Sequence, residues 1–299
     1  MIITIFLRFW NLNRIPTGLV TDELAYVLNA KTLFDTGGSI IDKNWSFWSL
    51  TTAPGESPMS EFPYVISMPF VGPFGLSIFS ARIGYAIVSV FFVLIILLIA
   101  RTLFGPWFGI TAGLSAAINP WSIYFGRTAY DVPVAVTAYL LAFYLLIRLR
   151  GPALILTIIP LFIAFYSYIG TKILFIPFVI LTIVGSWLTI HKRKNTFWLG
   201  SVLGLSLLIF FMFIFRMRTL DAGTRITQIF TPFDQSIMQE VDSQRRMTLT
   251  SPLTMLFANK PVVYVKNVLI KFVGAFSPTL LFTNGEGLAT FSLWEHGLF

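Results

Sequence analysis

Two adjacent acids are the first residues in this sequence that could do chemistry. In GLVTDELAYVLNAKTLF, Asp22 and Glu23 fall in the first turn of a helix expected to run to about Phe34, with Thr21 or Asp22 as its cap. One reading is structural. Acids at a helix start are favoured by the macrodipole by about 0.3–1 kcal/mol, and capping is the commoner use of such residues. The other is catalytic, a carboxylate placed to take a proton. The position just beyond the first apolar stretch, at an expected membrane surface, tips the balance toward catalysis.

Cations come next. Arg82, in FSARIGYAIVSV, opens an apolar segment where an ionisable group is costly and usually functional. Taken alone it reads as a snorkelling side chain that reaches head-group phosphates. The same guanidinium suits a phosphate-bearing lipid substrate, because Arg bonds phosphate oxygens through two N–H groups at once. In GRTAYD, Arg127 and Asp131 stand at i, i+4 and are expected to pair on one helical face. The alternative is a second acid or cation that faces the same cleft as Asp22.

Tyr166 and Tyr168, in FYSYIGTKILFIP, read as an interfacial aromatic belt. Lys172 beside them is a further cation able to approach a phosphate. Glu286 is another acid on the late outer segment, His191 reads as solvated, and His296 falls in the last residues. There is no HExxH, and Asp22 and Glu23 as neighbours should diverge, so no metal site is assigned. A divalent ion between Asp22 and another outer acid stays open, since magnesium often takes only one or two protein carboxylates plus substrate phosphate.

The elements that must position these residues are membrane helices. The chain is 56% hydrophobic and 11% charged, against about 25% charged in soluble domains. Apolar stretches at 82–101, 107–125, 131–149, 152–169, 172–190 and 196–215 give six expected spans, each near the roughly 20 residues a spanning helix needs. The first apolar stretch, Met1 to Trp10, is about half that length, so the true start is expected upstream or this Met is internal. No cysteine is present, which excludes thiolate metal sites, a disulfide framework and a Cys nucleophile. No Gly-rich phosphate loop is present either, which argues against nucleotide-driven chemistry.

Charge sidedness sets the orientation. The turns with Arg101, Arg148, Arg150, Lys192, Arg193 and Lys194 hold no acid and are expected on the cytoplasmic side. All 13 acids fall on the other side, within 11–81, the turn ending at Asp131, and the segment after Phe215. The outer face is therefore the expected working face. This sidedness also accounts for the net charge of +8 without a nucleic-acid partner. Within 11–81, FPYVISMPF is a candidate interfacial helix, and the late segment becomes amphipathic around PVVYVKNVLIKFVGAF. The chain is expected to be an N-terminal fragment, since it stops at SLWEHGLF with neither span nor polar tail behind it.

The order of these features resembles the GT-C fold membrane glycosyltransferases, specifically the bacterial family 39 group related to protein O-mannosyltransferases and lipid A aminoarabinose transferases. RFWNLNRIPTGLVTDELAYVLNAKTL is similar to that family's first span exit and acidic first outer loop, and FGLSIFSARIGYAIVSV to its Arg-bearing next span. NPWSIYFGRTAYD, YSYIGTKILFIP and FANKPVVYVKNVLIKFVGAFSPTLLFTNGEG resemble later outer segments in the same order. After Glu286, GLATFSLWEHG departs from the family by lacking a basic Arg-His pair.

The resemblance implies one all-α, multi-span helical bundle of GT-C type over 1–299: a first outer loop at 11–81, six spans at 82–215 and a late outer loop at 216–299, incomplete at its C-terminus. It implies a multi-pass protein of a bacterial or archaeal plasma membrane that moves a sugar from a polyprenyl-phosphate donor to a lipid, glycan or protein acceptor on the outer face, with inversion. Asp22 would be the general base and Glu23 its helper, with Arg82, Arg127 and Lys172 at the donor phosphate and Asp131 and Glu286 as further site residues. The rival class is a carrier for a lipid-linked sugar or another solute. Carriers tend to show paired repeats and midplane polar sites; no repeat is seen here, and the spans hold few interior charges.

Overall fold

The computed structural model describes residues 1–50, 59–188, 195–219, 235–247, 258–274 and 276–277. It is helical, with no β-strand among the described residues, and divides into two compact units, Met1–Gly223 and Thr224–Phe299.

In the first unit α1 (Ile2–Phe9) leads through a turn to α2 (Thr21–Thr36), and α3 (Phe62–Phe74) precedes the long α4 (Ile78–Phe104). Then follow α5 (Pro106–Ile118), α6 (Pro120–Phe125), α7 (Asp131–Arg148), α8 (Ile158–Ser167), α9 (Phe175–Ser186) and α10 (Thr196–Thr219). Helix α4 is central, packing on α3, α5 and α7, while α2 lies on α3 and α7 lies on α8. The α3–α4 approach is close because Gly84 has no Cβ: one placed there would come 2.6 Å from the Ile66 carbonyl oxygen.

Among the described residues three helices are long and apolar enough to cross a membrane: α4, α7, and α10 as far as Arg216. The other three expected spans are helical but, among the described residues, shorter or broken, and in two of them proline marks the break. The stretch 107–125 divides at Asn119, whose side chain accepts from the Ser122 N–H at 2.8 Å and starts α6 with Pro120 in its first turn. The stretch 152–169 opens as a 3-10 turn over Gly151–Thr157, with Pro152 near its start. Helix α9 has 12 residues, about 18 Å at 1.5 Å per residue. FPYVISMPF does form a helix, α3, with Pro63, Tyr64, Ser67 and Val71 buried.

Beneath the start of α2 lies a core of Tyr26, Val27, Ala30, Trp45, Tyr64, Tyr85, Ala129 and Val134. Tyr64 meets Tyr26 at a ring distance of 5.4 Å and Trp45 edge-on at 5.8 Å. Elsewhere large apolar side chains such as Trp107, Phe108, Leu181, Phe197 and Phe211 stand exposed. A continuous outward-facing apolar surface suits lipid rather than water.

In the second unit α11 (Gln235–Met247) and α12 (Lys260–Gly274) pack through Ile237, Val241 and Val263.

Candidate functional site

Helix α2 starts at Thr21, with extended Val20 as its cap residue. The Glu23 carboxylate accepts from the Val20 N–H at 3.4 Å, the N3 half of a capping box whose other half valine cannot supply. The two neighbouring acids diverge: Asp22 is exposed, and Glu23 is fully buried.

Glu23 is held from several directions. Arg82 donates Nε to Oε1 at 2.8 Å and Nη2 to Oε2 at 3.1 Å, and the Ala129 N–H donates to Oε1 at 3.0 Å. Arg82, itself fully buried, also donates Nη1 to the Pro16 carbonyl at 2.7 Å and Nη2 to the Gly18 carbonyl. Burying two charges is expensive unless hydrogen bonds satisfy them, and here four of the five guanidinium N–H groups are engaged. The pair ties the 16–18 turn, α2, α4 and the turn before α7 into one fixed end of the bundle.

Asp131 is the first residue of α7 and accepts from the Tyr26 hydroxyl at 2.7 Å. Tyr26 lies one turn beyond Asp22 on α2. Burial, and then Asp131, holds its phenol well above the usual range. Tyr130, the residue before α7, is buried and has no hydrogen-bond partner for its hydroxyl among the described residues. Burial raises the Tyr130 phenol, followed by Tyr124 and the carboxylates of Asp22, Glu23 and Asp131.

The cations sit differently from the sequence expectation. Arg82 neither snorkels nor faces outward, because its guanidinium is committed to Glu23 and two backbone carbonyls. Arg127 does not pair with Asp131, because it lies in the turn before α7 rather than on the helix. It donates to the carbonyls of Leu7 and Trp10 at 2.7 Å each and of Ile15 at 2.9 and 3.2 Å. Its charge is spent on the end of α1 and the turn that follows.

Lys172 is buried with Nζ 2.9 Å from the Phe165 carbonyl and 3.8 Å from the Glu61 carboxylate. The rings of Phe165, Tyr166 and Phe213 lie 4.8–5.2 Å from the same ammonium. Tyr166 is thus a buried residue and not part of an interfacial belt.

Two charged residues not singled out in the sequence matter to this geometry. Glu61, just before α3, is fully buried with neither oxygen hydrogen-bonded among the described residues, and burial raises its pKa against the opposing pull of Lys172. Its partner is distant in sequence, so no local pattern marks it. Arg8 is also fully buried. It donates to the Ala116 carbonyl at 3.2 Å, the Ala117 carbonyl, Ser89 at 3.2 Å and Ser122 at 2.7 Å. Its only sequence signal was an arginine inside the short first apolar stretch.

Glu286, His191 and His296 lie outside the described residues. Among the described residues no three acids or histidines converge on a metal-sized site. Compared with protein-family models, with curated proteins and with solved structures, the chain matches none.

Proposed function

We propose that this chain is a multi-pass membrane glycosyltransferase of GT-C type that transfers a sugar from a polyprenyl-phosphate donor to an acceptor hydroxyl on the outer membrane face. The observation that carries the reading is the split of the acidic pair. Asp22 is presented to solvent while Glu23, its neighbour, is locked beneath it on Arg82.

In this mechanism Asp22 takes the acceptor hydroxyl proton as the oxygen attacks the anomeric carbon. The bond from that carbon to the phosphate oxygen breaks, its electron pair leaves with the lipid phosphate, and the configuration inverts. General-base assistance of this kind contributes about 10²–10⁴-fold. Glu23 and Arg82 position Asp22 and stay out of the chemistry. Asp131, beside Tyr130, shapes the acceptor side of the cleft.

The lipid phosphate leaves with developing negative charge that a preorganised cation must stabilise. Arg82 and Arg127 each have four of five guanidinium N–H groups engaged, whereas Lys172, among the described residues, makes one hydrogen bond and a 3.8 Å ion pair. We therefore assign the phosphate to Lys172 and give both arginines structural roles. The donor arrives already activated and already in the membrane, which suits an enzyme without a nucleotide loop.

The test is transfer of radiolabelled sugar from a panel of polyprenyl-phosphate sugars in membranes that contain the full-length protein. Label reaching an acceptor only when the protein is present supports the reading. No transfer from any donor with well-folded protein overturns it.

A further inference from the structure

We infer that α12 (Lys260–Gly274) lies flat in the head-group layer of a bilayer and takes anionic lipid as its partner. The inference stands apart from the transferase reading, because it uses only the second unit.

One side of α12 is already occupied by protein. Val263 is 1% exposed against Ile237 and Val241 of α11. Three and four residues along, the neighbouring edge is polar: Lys266 lies 3.4 Å from the Glu240 carboxylate, and Asn267 donates to the same group at 3.0 Å. The far side is apolar and bare. Val262, Val265, Leu269 and Phe272 recur at helical spacing, with Phe276 just beyond, and Leu269 and Phe272 are 55% and 62% exposed. No described residue covers this stripe, and a contiguous apolar patch of this kind marks an interaction surface.

Length and charge select the partner. The helix has 15 residues, about 22 Å at 1.5 Å per residue, short of the roughly 30 Å hydrocarbon core. Its only charges are Lys260, Lys266 and Lys271, with no acid. Spanning would bury these lysines, whereas lying in the interface puts the stripe into the acyl boundary and leaves the ammonium groups among head-group phosphates. Arg245 and Arg246 stand in the last turn of α11, balanced on that helix by Glu240 and Asp242, so the excess of positive charge lies on α12. A helix with three lysines and no acid of its own, only Lys266 being paired to Glu240 of α11, complements anionic lipid and not a basic protein partner.

The chain has no cysteine, so a single engineered one reports without background. Val262→Cys, Leu269→Cys, Phe272→Cys and Lys260→Cys variants of the full chain, each spin-labelled, are reconstituted in vesicles of phosphatidylcholine and phosphatidylglycerol. Collision with oxygen and with a water-soluble nickel complex is then measured. Labels at 262, 269 and 272 are expected to meet oxygen but not nickel, and the label at 260 to meet nickel. Nickel reaching every site overturns the inference, as does shielding of the stripe from both reagents, which would mean that protein or a second copy covers it. Replacing the three lysines by Gln should shift the stripe labels toward nickel exposure. Unchanged exposure in that variant overturns the anionic-lipid assignment.

Discussion

The guanidinium of Arg82 and the carboxylate of Glu23 are both fully buried and meet through two hydrogen bonds of 2.8 and 3.1 Å. This joins the second turn of α4 to the first turn of α2, directly under Asp22. Removing one member of such a pair leaves an uncompensated buried charge, with a loss of about 3–5 kcal/mol. Arg82→Met is therefore expected to lower the thermal stability of the detergent-solubilised protein sharply. Arg82→Lys should lose most of the same stability, since an ammonium cannot span both carboxylate oxygens and two carbonyls at once. A melt within a degree or two of wild type for Arg82→Met would show the pair to be dispensable.

Arg127 closes the end of α1 from across the bundle. Hydrogen bonds from a charged donor contribute roughly 1.5–3 kcal/mol, and Arg127→Leu would strip donors from the Leu7, Trp10 and Ile15 carbonyls together. The expected outcome is faster proteolytic cleavage within the turn of residues 11–18, with the rest of the first unit still protected. Uniform loss of protection across the unit would mean that Arg127 supports the whole bundle and not this turn in particular.

How far the site was legible before folding differs residue by residue. A helix beginning near Thr21 followed from an acidic first turn ahead of an apolar run, although its cap is Val20 and not Thr21 or Asp22, and the expected divergence of Asp22 from Glu23 followed from helical spacing alone. The role of Arg82 did not, because snorkelling, phosphate binding and a buried ion pair all begin with an arginine near a span end. What separates them is Glu23, brought in by tertiary packing. Glu61 was invisible for the same reason, its partner Lys172 lying beyond α8 in the sequence. The spans were legible as apolar stretches, but their continuity was not. Pro120 and Pro152 interrupt them where hydropathy averages pass smoothly through.

Glu61 and Lys172 should behave as a coupled pair. Lys172→Met leaves Glu61 buried without a counter-charge, and Glu61→Gln in the same chain removes that penalty. The double variant is expected to be more stable than Lys172→Met alone, with an interaction energy within the 0.5–3 kcal/mol seen for contacting residues. Thermal melts of the two singles and the double measure it. Strict additivity would mean that the 3.8 Å separation carries no energetic link.

Tyr26→Phe deletes the 2.7 Å hydrogen bond to Asp131. It keeps the ring that packs on Tyr64. The fold should persist with a loss of about 1.5–3 kcal/mol, and transfer should slow without stopping, since Asp22 is untouched. Wild-type rate and stability together would remove Asp131 from the site.

The split of the acidic pair is tested most directly by single-turnover sugar transfer in Asp22→Asn, with donor binding measured on the same purified protein. Asn cannot accept the acceptor proton but leaves Glu23, Arg82 and Lys172 in place. The expected result is undiminished donor binding and an unchanged melt, with transfer reduced by about 10²-fold or more. Transfer at the wild-type rate in a folded, donor-binding Asp22→Asn protein would contradict the assignment of Asp22 as the base.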